Sequence, residues 1–435
     1  MRQAKRLVLV GVALLILALV LPGCSSEEET TQTPGATETP ETAKLGFLCP
    51  LSGPAAGWGL PGLTGLNIWA DELNAQGGMQ VGDERIPVEI ITYDDEYTPS
   101  KALQGARKLV LEDKVDMLIP SVTGGSTSAI QQFCTEQKQL MIGMEAVDNG
   151  PERTYLLTGG EGYPMYHAIH MYYIHETYPE ATRFALVTQD DETGRYGAAW
   201  VMAAAEAHGF EVVHVNLFSI ETLDFAPVIS AVLATDPDVI SLGPTWPEFR
   251  IAMTEQLYHQ GYTGIVEASE WEPDDEMAKV PAEYLEQIKC IGHNPFADPS
   301  APEPMKDLYQ KWEARYGPGG PEDVGRSAYS IDWLYTAQAM IWEEGVRLAG
   351  TLDDTAVRDA LLAQESIPHL GGTAVWWGEE VFGANHHALV PESVSEFQGG
   401  KEVTVGWYDI KDWYDTYGGS VIPWMEEYGV MYYQR

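Results

Sequence analysis

The sequence predicts an α/β protein made of two doubly wound lobes. Length is the first reason: 435 residues exceed one ordinary domain and suffice to bury two cores. Alternation is the second. Short apolar runs alternate with segments of helical spacing in two separate series, one on each side of about residue 158. The third is the stretch Val115 to Ile130, where an apolar run gives way to a turn of small residues and then to a helix start.

In chain order, Lys44–Leu51 reads as a buried strand that runs through Ser52-Gly53-Pro54 and Trp58-Gly59 into a helix from about Pro61 to Gln76. Ile86–Tyr93 is a second strand, closed by Asp94, Asp95 and Glu96, and Pro99–Asp113 a second helix. Val115–Pro120 is the third strand, and Gln139–Met144 the fourth. Between these two, Gly124, Gly125, Ser126 and Thr127 open a helix. A strand delivering such a turn to a helix start builds an anion site, because the first N–H groups lack intrahelical partners and the dipole favours negative charge. An ordinary capped helix after a buried strand fits the same residues. Strands and helices at this spacing imply parallel βαβ units.

The series then restarts. Met165–Tyr178 reads as a helix, Arg183–Val187 as a strand, Gly197–His208 as a helix and Glu211–Phe218 as a strand. Phe225–Ala234 and Phe249–Gln260 are helices alternating with the strands Val239–Leu242 and Gly264–Ala268. Beyond Asn294 the pattern loosens. Pro304–Tyr316, Ala328–Leu348 and Asp353–Gln364 are helical, while Thr373–Trp377, Val403–Ile410 and the aromatic tail read as strands and cover. They are too few for a third α/β domain, so they should complete the first two.

Charge and composition narrow the function. The formal charge is −40, from 25 basic and 65 acidic residues, a surface that repels polyphosphate and argues against nucleic-acid binding. Arg2, Lys5 and Arg6 precede the apolar run Leu7–Leu21, which is short for a transmembrane span and ends in Pro22-Gly23-Cys24. Residues 25–44 are rich in Ser, Glu, Thr and Pro, a composition that cannot form a core and reads as a disordered tether. Cys49, Cys134 and Cys290 show no metal spacing and read as buried free thiols.

No motif carries catalysis. The glycines of Gly57-Trp58-Gly59-Leu60-Pro61-Gly62 match a dinucleotide fingerprint, but the acid at the end of the next strand, Asp94, stands about 32 residues on rather than about 20. No cofactor is therefore expected. His167, His170 and His175 share a helical segment, and His386-His387 form an isolated pair; neither group has an acidic or cysteine partner at a recognised spacing. They read as surface or partly packed histidines, with no metal and no catalytic residue expected.

The order of the motifs is more specific than any one of them. Leu51-Ser52-Gly53-Pro54 with Trp58-Gly59, then Tyr93-Asp94-Asp95, then Gly124-Gly125-Ser126-Thr127, resemble the Leu/Ile/Val-binding family of ABC-transporter solute receptors. Tyr196-Gly197, Pro247-Glu248 and Glu270 fit the same family, and Leu21-Pro22-Gly23-Cys24 resembles its lipoprotein leader, with Cys24 lipidated. The resemblance implies a type I periplasmic binding protein: two Rossmann-like lobes joined by a three-crossing hinge, with crossings near Leu157–Gly160, His293–Asp298 and Pro368–Thr373. Residues 1–23 would then be the signal peptide and 24–44 the tether. Lobe one would comprise 45–158 plus 297–368, and lobe two 159–296 plus 369–435.

It also implies a binding site. Thr123, Gly124, Ser126 and Thr127 lie where the family holds a ligand carboxylate, and Ala146 and Val147 match a second loop of the same lobe. Val147 replaces a hydroxyl residue and Glu145 a small one, which points away from a plain leucine-type ligand. Trp58, Tyr196 and Trp246 match the aromatic walls of the cleft, Glu270 the acid that pairs with a ligand ammonium, and Tyr329 a hinge-side tyrosine. Tyr196 packing its lobe and Trp246 standing at the rim are the alternatives. The resemblance thus implies a monomeric, lipid-anchored, extracytoplasmic receptor that closes on an amino acid, amide or small carboxylate and delivers it to ABC permease subunits. A ligand-sensing module for a signalling partner is the alternative. A secreted enzyme has only the abundance of carboxylates behind it.

Overall fold

The computed structural model describes residues 42–431 apart from 54, 122–123, 145–148, 160–161, 322–327 and 329–330. Two sheets organise them. The first has eight strands, in the order Ser366–His369, Gly372–Trp377, His387–Leu389, Leu156–Gly159, Met141–Gly143, Met117–Ile119, Ala43–Cys49 and Val88–Asp94. From His387–Leu389 onward the neighbours are parallel, and the Ser366–Trp377 hairpin adds an antiparallel edge. The second sheet has seven strands: Lys401–Tyr408, Glu392–Gln398, Cys290–Gly292, Ile265–Glu267, Val239–Ser241, Arg183–Gln189 and Glu211–Phe218. Here the first two strands are antiparallel and the rest parallel. Each sheet is therefore the parallel centre of one lobe.

Parallel strands are covered on both faces, which is why the runs read as continuously apolar. In Ala43–Cys49, Leu45 and Phe47 face the layer of the Ala56–Ala75 and Ile331–Ala349 helices, with Phe47 edge-on to Tyr335 at 5.1 Å between ring centroids. Leu48 points the other way, toward Ala102, Ala106 and Ile130 of the Pro99–Arg107 and Gly124–Gln137 helices. In the second lobe Phe184 and Leu186 face one core, and Ala185 and Val187 the other. The period-2 alternation of a strand is thus spent on two apolar layers.

The glycine pattern around Trp58 has a packing cause. A Cβ at Gly59 would collide with the Pro50 carbonyl, and one at Gly62 with the ring of Tyr335. These glycines let the helix lie close to its neighbours; no nucleotide is needed to explain them.

Three features differ from the sequence-based expectation. The Pro99–Asp113 helix is α-helical only to Arg107 and continues as a π-helical stretch over Lys108–Asp113. The aromatic tail forms the helices Ile410–Tyr417 and Val421–Glu427 rather than strands. Asp409 starts the first of these by accepting from the Lys411 and Asp412 N–H groups, and Trp413 packs 6.2 Å from Trp200. The third passage between the sheets is also later than Pro368–Thr373. Gly372–Trp377 and His387–Leu389 pair within the first sheet, so the chain leaves it at Val390-Pro391. The aromatics of that segment hide this: Trp377 and Phe382 pack in the second lobe's core although the flanking strands belong to the first sheet. The other two passages follow Leu156–Gly159 and Cys290–Gly292. Cys49, Cys134 and Cys290 are buried and form no disulfide among the described residues. Among the described residues no helix is long and apolar enough to cross a membrane.

Candidate functional site: the cleft between the lobes

The ends of the parallel strands bring both lobes' candidate residues to one seam. On the first lobe, the Asp94 and Asp95 carboxylates build the turn. Asp94 accepts from the Leu51 and Glu96 N–H groups and from the Ser52 hydroxyl, and Asp95 accepts from the Tyr97 N–H. Glu96 and Tyr97 take positive φ values of 47° and 56°, which turns the Tyr97 ring across the seam. Trp58, in the first turn of the Ala56–Ala75 helix, lies beside it at 5.9 Å between centroids.

On the second lobe, Asp191 caps the Glu192–Ala207 helix by accepting from the Gly194 N–H at 2.8 Å. Trp246 precedes the Pro247–His259 helix, its N–H donating to Gln189 Oε1 at 3.0 Å. Its ring stacks on Phe249 at 4.8 Å and meets Tyr97 edge-on at 4.7 Å.

The lobes touch directly. Trp58 Nε1 donates to Glu270 Oε1 at 3.3 Å, and both residues are buried. Tyr97 Oη donates to Asp191 Oδ2 at 2.8 Å and accepts from Gln189 Nε2 at 3.2 Å. The Gly124 N–H donates to Thr193 Oγ1 at 3.0 Å, and Ser128 Oγ to Glu192 Oε1 at 2.7 Å. Burial pushes the Asp191 carboxyl upward, opposed by the Gly194 N–H, Tyr97 and Gln189.

Several expected residues thus meet: Trp58, Trp246, Gly124 and Glu270 all line this seam. Others are placed differently. Thr127 Oγ1 donates to the Ser121 carbonyl at 2.9 Å, and the Ser126 hydroxyl bonds the buried Asp95 carboxylate, whose pKa burial raises. Tyr196 is fully buried in the second lobe's core, stacked on Phe382 at 6.4 Å. Thr123, Glu145, Ala146, Val147, Tyr329 and Cys24 lie outside the described residues. Tyr97, Asp191, Glu192, Thr193 and Arg250 join the seam with no motif to announce them. Asp191 alone carries a local signal: an Asp two residues after a strand and three before a glycine, at a helix start.

Behind Glu270 lies a second polar group. His167 Nδ1 and His170 Nδ1 approach Glu267 Oε1 at 2.6 and 2.7 Å, Ser241 Oγ donates to Glu267 Oε2, and Ser269 Oγ pairs with His167 Nε2 at 3.3 Å. All three of His167, His170 and Glu267 are fully buried, not surface or partly packed. Their ligand atoms converge enough to hold a metal ion. The separations are those of strong hydrogen bonds, however, and ligands held about 2.1 Å from an ion stand farther apart than that. Burial raises the Glu267 carboxyl, but His167 and His170 outweigh it and hold it well below the ordinary range. Burial pushes His170 down to about 4. Sequence spacing could not find this group, because Glu267 comes from a strand about 100 residues away.

Comparison with known proteins agrees with this geometry. The model of the periplasmic binding protein family matches residues 42–400. The Leu/Ile/Val-binding protein homolog 7 of Brucella abortus is 23% identical over 386 residues, covering 85% of this chain and 93% of that one. The branched-chain amino acid transporter substrate-binding protein LivJ of Streptococcus pneumoniae, solved with isoleucine, superposes with a TM-score of 0.68 at 18% identity, over 85% of this chain and 99% of that one. A solute-binding protein of Rhodopseudomonas palustris, solved with benzoate, gives 0.68 at 18% identity, over 85% and 96%. At these identities the structures show the fold: two lobes of the type I periplasmic binding kind. The family and these neighbours are binding receptors rather than enzymes. With its two largely parallel sheets, three passages between them and a family match over most of its length, the chain belongs to the periplasmic binding protein family.

Proposed function

We propose that the protein is an extracytoplasmic receptor, lipid-anchored through Cys24, that closes on an amino acid or a similar small polar molecule and delivers it to an ABC importer. The observation that carries the reading is the pairing of Trp58 with Glu270 across the seam. A buried carboxylate opposite an indole donor, walled by Tyr97 and Trp246, suits a ligand ammonium group in a dry site. The isoleucine and benzoate bound by the two neighbours bracket the chemistry, with and without an amine. The sequence Leu21-Pro22-Gly23-Cys24 after its apolar run supports the anchor.

The test is thermal melting against a panel of amino acids, amides and aromatic carboxylates, wild type beside Glu270→Ala. A ligand at 100 times its dissociation constant adds about 2.7 kcal/mol. One amino acid should stabilise the wild type and not the variant. Stabilisation by non-amine carboxylates alone, equal in both proteins, would remove the role of Glu270; no shift with any compound would count against the receptor itself.

A further inference from the structure

The three passages between the sheets meet at one side chain. Glu392 opens the strand Glu392–Gln398, directly after the third passage at Val390-Pro391, and is buried. Its Oε1 accepts a short hydrogen bond from the Gly162 N–H, in the first passage between Leu156–Gly159 and the helix His167–Thr177. Its Oε2 stands 3.9 Å from Nδ1 of His293, the residue that follows Cys290–Gly292 in the second passage. One carboxylate therefore touches all three passages, although 230 residues separate Gly162 from Glu392.

The passages are also tied in pairs. His293 Nδ1 lies 3.1 Å from the Ser393 carbonyl and 3.0 Å from the Ser393 hydroxyl, which joins the second passage to the third. The Tyr166 ring stacks on His293 at 5.2 Å with 9° between the planes, and the Tyr166 N–H donates to the Gly162 carbonyl at 3.1 Å, which joins the first to the second. His293 also reaches the first lobe, 6.5 Å from the ring of Trp333 on the Ile331–Ala349 helix. Space at Gly162 is set by the same carboxylate: a Cβ there would stand 3.0 Å from Glu392 Oε1.

A carboxylate held out of water is tolerated only while donors surround it. Any bending that parts the first passage from the third takes the Gly162 N–H away from Glu392 and leaves the buried charge with one donor fewer. Charge-assisted hydrogen bonds are the strong ones, and breaking one without replacement by water is costly. The passages therefore resist moving separately and can turn together around the carboxylate.

We propose that Glu392 is the positioning residue of the hinge: it clasps the three passages into one pivot, so that the lobes swing along a single path and meet in register at the seam. The proposal rests on the receptor reading above in one respect, that the lobes open and close. It needs no particular ligand, and Glu392, Gly162 and His293 make none of the seam contacts described above.

The test uses the full chain with no ligand added, carrying nitroxides on p-azidophenylalanine introduced at Gln132 and His259, exposed positions on the Gly124–Gln137 and Pro247–His259 helices of opposite lobes. Pulsed electron-spin resonance reads the distribution of distances between the lobes. Glu392→Ala should widen that distribution, and exchange of the Gly162 amide hydrogen should quicken about tenfold or more. Glu392→Gln, which keeps an acceptor oxygen for the Gly162 N–H, should stay close to the wild type in both. An unchanged distribution in Glu392→Ala overturns the proposal whatever happens to the melting temperature, since Glu392 would then only hold its own lobe together. Should Glu392→Ala lose its native melting transition, Gly162→Ala carries the decision. Its methyl group crowds the carboxylate without removing it, so a wider distribution supports the clasp and an unchanged one overturns it. A wild type whose distribution shifts with no member of an amino-acid, amide and carboxylate panel counts against the receptor reading instead, and the comparison with Glu392→Ala still decides the clasp.

Discussion

The two faces of the cleft differ in polarity. From the first lobe come neutral donors: the Trp58 indole, the Tyr97 hydroxyl, the Gly124 N–H and the Ser128 hydroxyl. The second lobe answers with Glu270, Asp191, Thr193 and Glu192. Only Gln189, which donates to Tyr97, runs the other way among these contacts. The lesson concerns what closure demands. A zwitterion between such faces would turn its carboxylate to the first lobe and its ammonium to the second. Where the faces meet directly, the second-lobe carboxylates of Glu270, Asp191 and Glu192 take the donors of the first lobe. The Gly124–Gln137 helix start, read from sequence as an anion site or an ordinary capped helix, has the side chain of Glu192 from the same chain beside it.

Acid is the bluntest way to break this contrast, because it attacks the second lobe's support. His170 is held uncharged, its pKa pushed from 6.5 to about 4 by burial. Between those values the unfolded chain binds more protons than the fold, so the stabilisation is complete above 6.5 and gone below about 4. The full loss is about 3 kcal/mol. Glu267, held low by His167 and His170, has the same sign and deepens the slope at the acid end. Urea unfolding at a series of pH values should show stability falling through this window, and His170→Gln should flatten it. A slope unchanged in His170→Gln would assign the loss to other groups.

A cut at the seam itself is smaller. Asp191→Ala removes both the cap of the Glu192–Ala207 helix and the acceptor of Tyr97 and Gln189. The cap alone is worth about 1 kcal/mol, and the pair adds a similar amount, so the loss should reach about 2 kcal/mol in urea unfolding. Asp191→Asn keeps a capping oxygen and should lose less than half of that. Equal losses in both variants would mean that the carboxylate's charge, and not its geometry, holds the seam.

The strands are well legible in the sequence and the seam poorly, for a physical reason. Glu211–Phe218 is readable to the residue, and the apolar runs around Phe47 and Met117 have to be buried on both faces. Local rules fix such segments. Trp58 and Glu270 are placed by motif order, and the fold joins them although 212 residues separate them. Pairs such as Tyr97 with Asp191, or His167 with Glu267, leave no trace in spacing, because each half comes from a different element far away in sequence and only the finished fold brings them together. The tail deceives for another reason. Its tyrosines and tryptophans suit a strand by propensity, while the spacing of Ile410 and Trp413 and the Asp409 cap make it helical.

Tyr97→Phe is the mildest cut and the one that separates closure from folding. It removes a single hydroxyl that joins the lobes and leaves the ring free to keep its edge-on contact with Trp246. Asp191 still has Gln189 and the Gly194 N–H, so no carboxylate is stranded. The net worth of such a half-exposed bond is about 1 kcal/mol. Because the bond exists only when the lobes meet, the loss should fall on the closed form and hardly on the unfolding midpoint. Small-angle scattering should then show a more open average shape without ligand, and ligand affinity should weaken about fivefold. If the melting temperature drops and the scattering does not change, Tyr97 is holding its own lobe together, and the donor face contributes to the fold rather than to closure.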